Sequence, residues 1–384
     1  MSDLTNADFM DPYEVAKYLQ GVIEGRKFEK RTFLQDQFGD RSTFEQDTFN
    51  VDREKDQKNV MGQYVHPKAD GGYIQLPDFG SQELRAAYSK EAIQTDDFES
   101  LNQRQLGQAF GQVDVLANDA NNLNKKLANA LAAFDNLKEK AAADIIFLGA
   151  HTASGPKAST VVWDFDRTVV TTDADYLIGY VPAVDLTTLD GNGGVGKRAW
   201  DSTGGTKAPT PYLDLKKMVE TARARDKTIN KFIMGSTALT ALEDDIKTNY
   251  AFAADLTISV MQRIELKILP TIDTYKGATY QRTIMFGPVA VDIYTYTGAA
   301  NNRQTGVEEQ FMPAGYVAAI PDARYQLIRY GRIKHRKARW QAMPIWINTW
   351  DDKRSGEIEQ ELHTSFLLAP WDPDALISWK VAST

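Results

Sequence analysis

The sequence predicts an α+β fold, elongated and built along one long helical rod. Two observations carry this. Apolar residues at Val113, Leu116, Ala120, Leu123, Leu127, Ala130, Phe134, Leu137, Ala141, Ile145 and Leu148 fall in steps of three or four, which marks one stripe of an α-helix. Downstream, runs of β-branched and aromatic residues separated by Gly, Pro and Asp turns read as strands. At 1.5 Å per residue the rod spans roughly 50 Å, the width of a domain. Its other face carries Asn121, Asn122, Lys125, Asn129, Asp135, Asn136, Lys138 and Glu139. Asparagine is a mediocre helix former, so packing along the stripe must hold the rod together. Gly107 and Gly111 each cost about 1 kcal/mol inside a helix, so a break precedes it. Asp96 and Glu99, at capping-box spacing, start a shorter helix upstream.

Composition narrows the function classes. The 384 residues are 42% apolar and 25% charged with a net charge of -8, an ordinary globular balance that argues against wholesale binding of polyanions. The absence of cysteine excludes disulfides, thiolate metal sites and cysteine nucleophiles, and fits assembly in a reducing cytoplasm. No basic and apolar signal pattern opens the chain and no apolar run approaches membrane-spanning length, so neither secretion by signal peptide nor a transmembrane span is expected.

In chain order, a short helix with Val15, Tyr18, Leu19 and Val22 inward follows Asp11 and Pro12. Phe28, Phe33, Phe38, Phe44 and Phe49 then lie scattered among charges without a period, the pattern of an extended arm that docks on other surfaces. Val60 to Phe98 reads as a protruding hairpin turning at Asp70, Gly71 and Gly72, too poor in apolar residues to stand alone. After the rod come a strand from Val161 to Val170, a Gly- and Thr-rich loop from Thr187 to Thr210, and an amphipathic helix near Tyr212 to Arg225. Next are a strand Asn230 to Met234 and a helix capped by Ser236 or Thr237. Strands follow at Thr257 to Leu269, Thr283 to Thr297 and Tyr316 to Ile320, with more from Tyr325 to Val381.

Three motifs invite a chemical reading. Asp164 and Asp166 in DFDRT match the DxDxT pattern of haloacid-dehalogenase-type phosphatases, with a carboxylate nucleophile, a second acid and Mg²⁺; Ser236, Asp351 and Asp352 would have to complete the site. Arg167 replaces the usual glycine, and alternating acids on a strand edge explain the motif equally. Gly191 to Lys197 (GNGGVGK) has phosphate-loop spacing, but Arg198 stands where a hydroxyl is needed, so it reads as a flexible loop. The segment RYGRIKHRKAR places Arg329, Arg332, Lys334, Arg336, Lys337 and Arg339 together without an acid. Such a basic strand faces nucleic acid phosphates, acids such as Asp52, Glu54 or Glu357 on a neighbouring subunit, or solvent. His66, His151, His335 and His363 share no metal-ligand spacing, and neither metal nor cofactor is expected.

Several stretches together carry a resemblance: FEKRTF (Phe28 to Phe33), the hairpin, the long helix, KFIMGSTALTAL (Lys231 to Leu242), FMPAGYVAAIP (Phe311 to Pro321), RYGRI (Arg329 to Ile333) and LHTSFLLAPWDPDALISWKV (Leu362 to Val381). In this order they resemble the lambda-type E family of tailed-phage major capsid proteins. Inserted length around Thr171 to Pro211 and Tyr250 to Gly277 departs from that pattern.

The resemblance implies the Hong Kong 97-type capsid fold and no catalysis. It divides the chain into an N-terminal arm (1–57), an extended loop (58–98), a peripheral domain with the spine helix (99–172), an axial domain (173–321) and a return to the peripheral domain (322–384). It further implies hexamers and pentamers of an icosahedral head around double-stranded DNA, with scaffolding protein, portal and a decoration or cement protein as partners. Localisation would be the virion after assembly in the bacterial cytoplasm, without a membrane. No residue pattern here predicts a covalent cross-link.

Overall fold

The computed structural model describes residues 32–46, 48–54, 79–95, 115–155, 158–165, 180–181, 200, 211–224, 227–249, 277–303, 305–313, 315–321, 326–351, 358–370 and 376–381. The N-terminal helix, the hairpin tip Asp70, Gly71 and Gly72, the Asp96 helix, Gly107 and Gly111, Asp166, the Gly191 to Lys197 loop and the Thr257 to Leu269 strand lie outside them.

A 3-10 turn at Gln35–Gln37 leads to β1 (Asp40–Thr43) and β2 (Thr48–Glu54). Then come β3 (Phe79–Arg85), β4 (Ala87–Thr95) and the rod α1 (Val115–Ala143), which ends in a wider π-helical turn at Asp144–Leu148. There follow β5 (Ala150–Gly155), β6 (Ala158–Asp164), β7 (Tyr180–Val181), α2 (Pro211–Ala224), β8 (Ile229–Met234) and α3 (Ser236–Asn249). The remaining strands are β9 (Ala278–Phe286), β10 (Val289–Tyr296), β11 (Ala299–Asn301), β12 (Glu308–Gln310), β13 (Tyr316–Pro321), β14 (Gln326–Tyr330), β15 (Trp346–Asp351), β16 (Ile358–Pro370) and β17 (Ile377–Lys380).

Two sheets organise these elements. In the first, the order is β1-β14-β16-β15, with β4 also paired to the long β16. The spine lies on this sheet: Leu123, Leu127, Ala130, Leu131 and Phe134 pack on Ile93, Ile347 and Leu362. This is the burial that asparagine-rich helix propensity alone could not supply. The second sheet has the order β7-β17-β13-β8-β10-β9. On one of its faces α2 and α3 bring Leu215, Met218, Val219 and Leu242 against Phe232, Ile293, Val317 and Trp379. The other face gives Ile233, Ala318 and Ile320 to a core shared with the end of the spine, Ala141, Ile145, Ile146 and Phe147. β13 is therefore buried on both sides, as its unbroken YVAAIP run requires. Gly149, with φ +77°, closes the spine by donating its N–H to the Ile145 carbonyl at 3.1 Å. From the last strand, Ser378 Oγ donates to the Phe147 carbonyl at 2.9 Å.

Several sequence expectations are corrected. The segment expected to run as one strand from Thr283 to Thr297 is a hairpin, because Gly287 at φ +62° turns the chain between β9 and β10. Ser236 is the first helical residue of α3 rather than its cap, and the Gly235 carbonyl instead accepts from the Leu239 N–H at 3.1 Å. The arm does not simply run across other surfaces. Phe33, Leu34 and Phe38 are buried in the core of their own chain, and β1 adds a parallel strand to β14. Thr48–Glu54, assigned to the arm by sequence, pairs antiparallel with Phe79–Arg85 as the base of a ribbon. The stripe also fails at Leu137, which is 40% exposed.

Candidate functional site

The basic segment is not a strand of alternating charges. Only Arg329 lies in a strand, β14, with its guanidinium 5.6 Å from the Phe49 ring centre. Residues 331–341 then leave the strand and form a presented turn over Trp346 and His363, and the chain returns to the spine side at Ile345. His335 seats the turn: its ring centre lies 4.5 Å from that of Trp346 and 5.5 Å from that of His363. Ile333 and Ala338 are buried beneath it. Backbone bonds tighten the turn, with Ala338 donating to the His335 carbonyl, Arg339 to that of Arg336, Gln341 to that of Ala338, and Ile333 to that of Gln341.

Arg339 and Trp340 are held at φ 52° and 59°, a left-handed conformation costing about 1–2 kcal/mol per non-glycine residue. Lys334, Arg336, Lys337 and Arg339 are exposed, and Trp340 is 53% exposed. Arg332 is half-buried where it bridges to Ala342. Sequence reading found the cations but missed the tryptophan at the end of the turn. Its signal would have been an indole directly after a run of cations, Lys334, Arg336, Lys337 and Arg339, where a large apolar side chain is out of keeping with its neighbours.

His363 is buried below the turn, where it meets Tyr88 Oη at 2.8 Å and Glu361 Oε2 at 3.2 Å. Burial, with Lys90 assisting, pulls its pKa down to about 4, so the ring is neutral at physiological pH. Burial likewise pushes the Tyr88 hydroxyl up to about 12. His335 and His363 are brought together although far apart in sequence, yet among the described residues no trio of His, Cys, Asp or Glu is placed to hold a metal.

A second polar centre lies where the spine meets the arm. Glu139, buried, accepts from the backbone N–H groups of Leu34 at 2.8 Å and Gln35 at 2.9 Å, and from Tyr296 Oη at 2.8 Å. Burial lifts its carboxyl to about 7, against the three donors that pull it back. Lys138, also buried, sits 5.6 Å from the Tyr330 ring centre and 3.9 Å from Asp135, and burial lowers its pKa. The sequence placed both residues on the polar face.

Asp164 ends β6, which pairs antiparallel with β5 in a two-stranded ribbon. The phosphatase motif needs a carboxylate at the end of a parallel strand in an α/β sheet, so the DxDxT reading is not supported. Among the described residues no helix is long and apolar enough to cross a membrane.

The sequence profile described as phage major capsid protein E matches residues 16–176 and 192–381. The chain belongs to that family. The break between the two matched parts falls within the inserted length noted around Thr171 to Pro211. Among solved structures, the fold is similar to a crystal structure assigned as the capsid protein of a prophage of E. coli CFT073, with a TM-score of 0.64 at 14% identity, covering 96% of this chain and 99% of that one. A phage-related protein of Bordetella bronchiseptica RB50 gives a TM-score of 0.46 at 12% identity, covering 95% and 96%. The capsid of Myoviridae phage XM1 gives 0.44 at 10%, covering 92% of each chain. No curated protein matches the sequence. As a member of the major capsid protein family, the chain is a structural subunit of a phage head, it has the Hong Kong 97-type α+β capsid fold, and its place is the virion.

Proposed function

We propose that copies of this chain close into hexamers and pentamers and then into an icosahedral shell around double-stranded DNA, with no catalytic step of their own. The observation that carries this reading is the family match on both flanks of the chain, which takes in the spine and strands of both sheets. One subunit in such a shell makes different contacts at quasi-equivalent places, so its product is shape, delivered through heterologous interfaces that close. In this reading residues 1–57 form an arm, 58–98 a loop whose tip at Asp70, Gly71 and Gly72 reaches a neighbour, and 173–321 an axial domain. Residues 99–172 and 322–384 form the peripheral domain around the spine.

The ribbon of β2 and β3 joins the end of the arm to the loop, and because a two-stranded ribbon is marginal alone it gains stability by lying on another surface. A scaffolding protein, a portal and a decoration or cement protein are the partners this role calls for. The DNA would be contacted without sequence preference. Electron microscopy of the purified protein, or of particles containing it, tests the reading: closed shells are expected, and a monodisperse monomer at high concentration overturns it.

A further inference from the structure

Two exposed features of opposite charge remain without a role in the folded subunit. The first is the rigid turn at 336–340, with Arg336, Lys337 and Arg339 exposed beside Trp340, and no ion pair joins those three cations to another described residue. The second is the ribbon of β11 and β12. Val307 at its turn is 61% exposed, and Glu308, Glu309 and Gln310 are all exposed. Asn302 Nδ2 donates to Glu309 Oε1 at 2.7 Å, which braces one carboxylate, and Arg303, itself exposed, pairs with Glu91 of β4 at 2.6 Å, which places the ribbon beside the first sheet.

Each feature presents one exposed apolar side chain beside charges: Trp340 beside three cations, and Val307 beside Glu308 and Glu309, the ribbon's own cation Arg303 being paired with Glu91. An exposed indole held by two consecutive left-handed residues is pre-organised, so little further ordering is needed when a partner covers it. Tryptophan and arginine are also the residue types that most often anchor interfaces.

We propose that the 336–340 turn of one copy docks on the 307–310 ribbon end of a second copy, Trp340 covering Val307 while Arg336, Lys337 and Arg339 face Glu308 and Glu309. The contact rests on the capsid reading above and names one of its heterologous interfaces. Turn and ribbon differ, so the contact is head-to-tail and can repeat around a ring or between rings. Single exposed ion pairs are weak, but a shell repeats the contact in every copy.

The test uses the full chain expressed with the other head proteins of its phage. Reversing the turn (Arg336→Glu, Lys337→Glu and Arg339→Glu together) or the ribbon (Glu308→Lys and Glu309→Lys together) is expected to lower shell yield by about tenfold or more. Joining both sets in one chain is expected to restore most of it. Wild-type yield from either set alone overturns the pairing. A turn set that leaves shell yield intact but lowers packaged DNA also overturns it, placing the turn against nucleic acid.

Because a charge-reversed chain can fail by misfolding, cross-linking supplies an independent measurement, made clean by the absence of native cysteine. Shells of a chain carrying Glu308→Cys and Lys337→Cys should give a ladder of covalent oligomers on oxidation, and either substitution alone should give none. Shells that assemble without a ladder overturn the contact. If the unsubstituted chain forms no shell, the capsid reading itself fails and this contact falls with it.

Discussion

Glu139 joins three parts of the molecule at one carboxylate: the spine that carries it, the arm at Leu34 and Gln35, and the second sheet at Tyr296. Its carboxyl titrates near 7 when folded against 4.5 for the free group. The folded state therefore holds a proton that the unfolded chain has released between those values, and stability falls as pH rises through that window, by about 3 kcal/mol. Glu139→Gln should flatten this slope, measured as urea unfolding midpoints of the subunit at pH 5 and pH 7.5. It should also cost about 1–3 kcal/mol at the lower pH, because one donor loses its acceptor.

His363 has the opposite sign. Its folded pKa of about 4 lies below the usual 6.5, so its contribution is present above 6.5 and is lost as pH falls toward 4. His363→Asn should remove that acid-side loss while leaving the Glu139 slope, and an unchanged acid limb in the variant would refute the assignment.

Glycine at position 331 explains itself at the same scale: a Cβ there would lie 2.9 Å from Ser365 Oγ and 3.0 Å from Ala86 Cβ. The Tyr-Gly pair of the RYGRI motif is thus a close approach of backbone to side chains. Gly331→Ala should lower thermal stability by about 1–3 kcal/mol through overpacking, read by calorimetry.

The elements show where sequence periodicity informs and where it stops. Along 123–134 the stripe meets one flat surface, the face of the first sheet, and each three-or-four step is buried as the period implies. Beyond it the rod passes between two sheets and the arm, so Lys138, Glu139, Ala141, Ala142 and Ala143 are all buried while Leu137 is exposed. A helix enclosed on most sides keeps only a narrow exposed strip, here at Leu137, and a period read from one chain segment cannot report how many neighbours enclose it.

Phe134→Ala should therefore cost about 3–5 kcal/mol and Leu137→Ala within about 0.5 kcal/mol in the isolated subunit, by denaturant unfolding. The strand reading of the basic segment departs from the structure for a related reason. Alternating cations imitate a strand, but here His335 packs its ring against Trp346 and His363 and the backbone around it runs as a turn. That contact joins residues distant in sequence. What remained legible was the order of elements, since turn residues and apolar runs act locally.

At the scale of the whole molecule, the charge arrangement matters more than the net charge of -8. A shell held in part by exposed cations facing exposed carboxylates should loosen as salt screens them. Raising ionic strength from about 0.05 to 0.5 M, across which the Debye length shrinks several-fold, should shift the subunit-to-shell balance toward free capsomers, followed by light scattering. An assembly insensitive to salt would mean that apolar burial alone holds the shell.

The spine's final turns carry a mechanical implication. Ala141, Ile145 and Phe147 are wedged into one continuous packing that also includes Phe33, Ile233, Ala318 and Phe366, so the two sheets and the root of the arm are riveted at a single joint. In the proposed shell of hexamers and pentamers, a tile that fits both surroundings cannot flex at that rivet without opening voids. The difference in curvature has to be absorbed farther out, in the ribbon, in the free length of the rod and in the slack of whatever its neighbours grip.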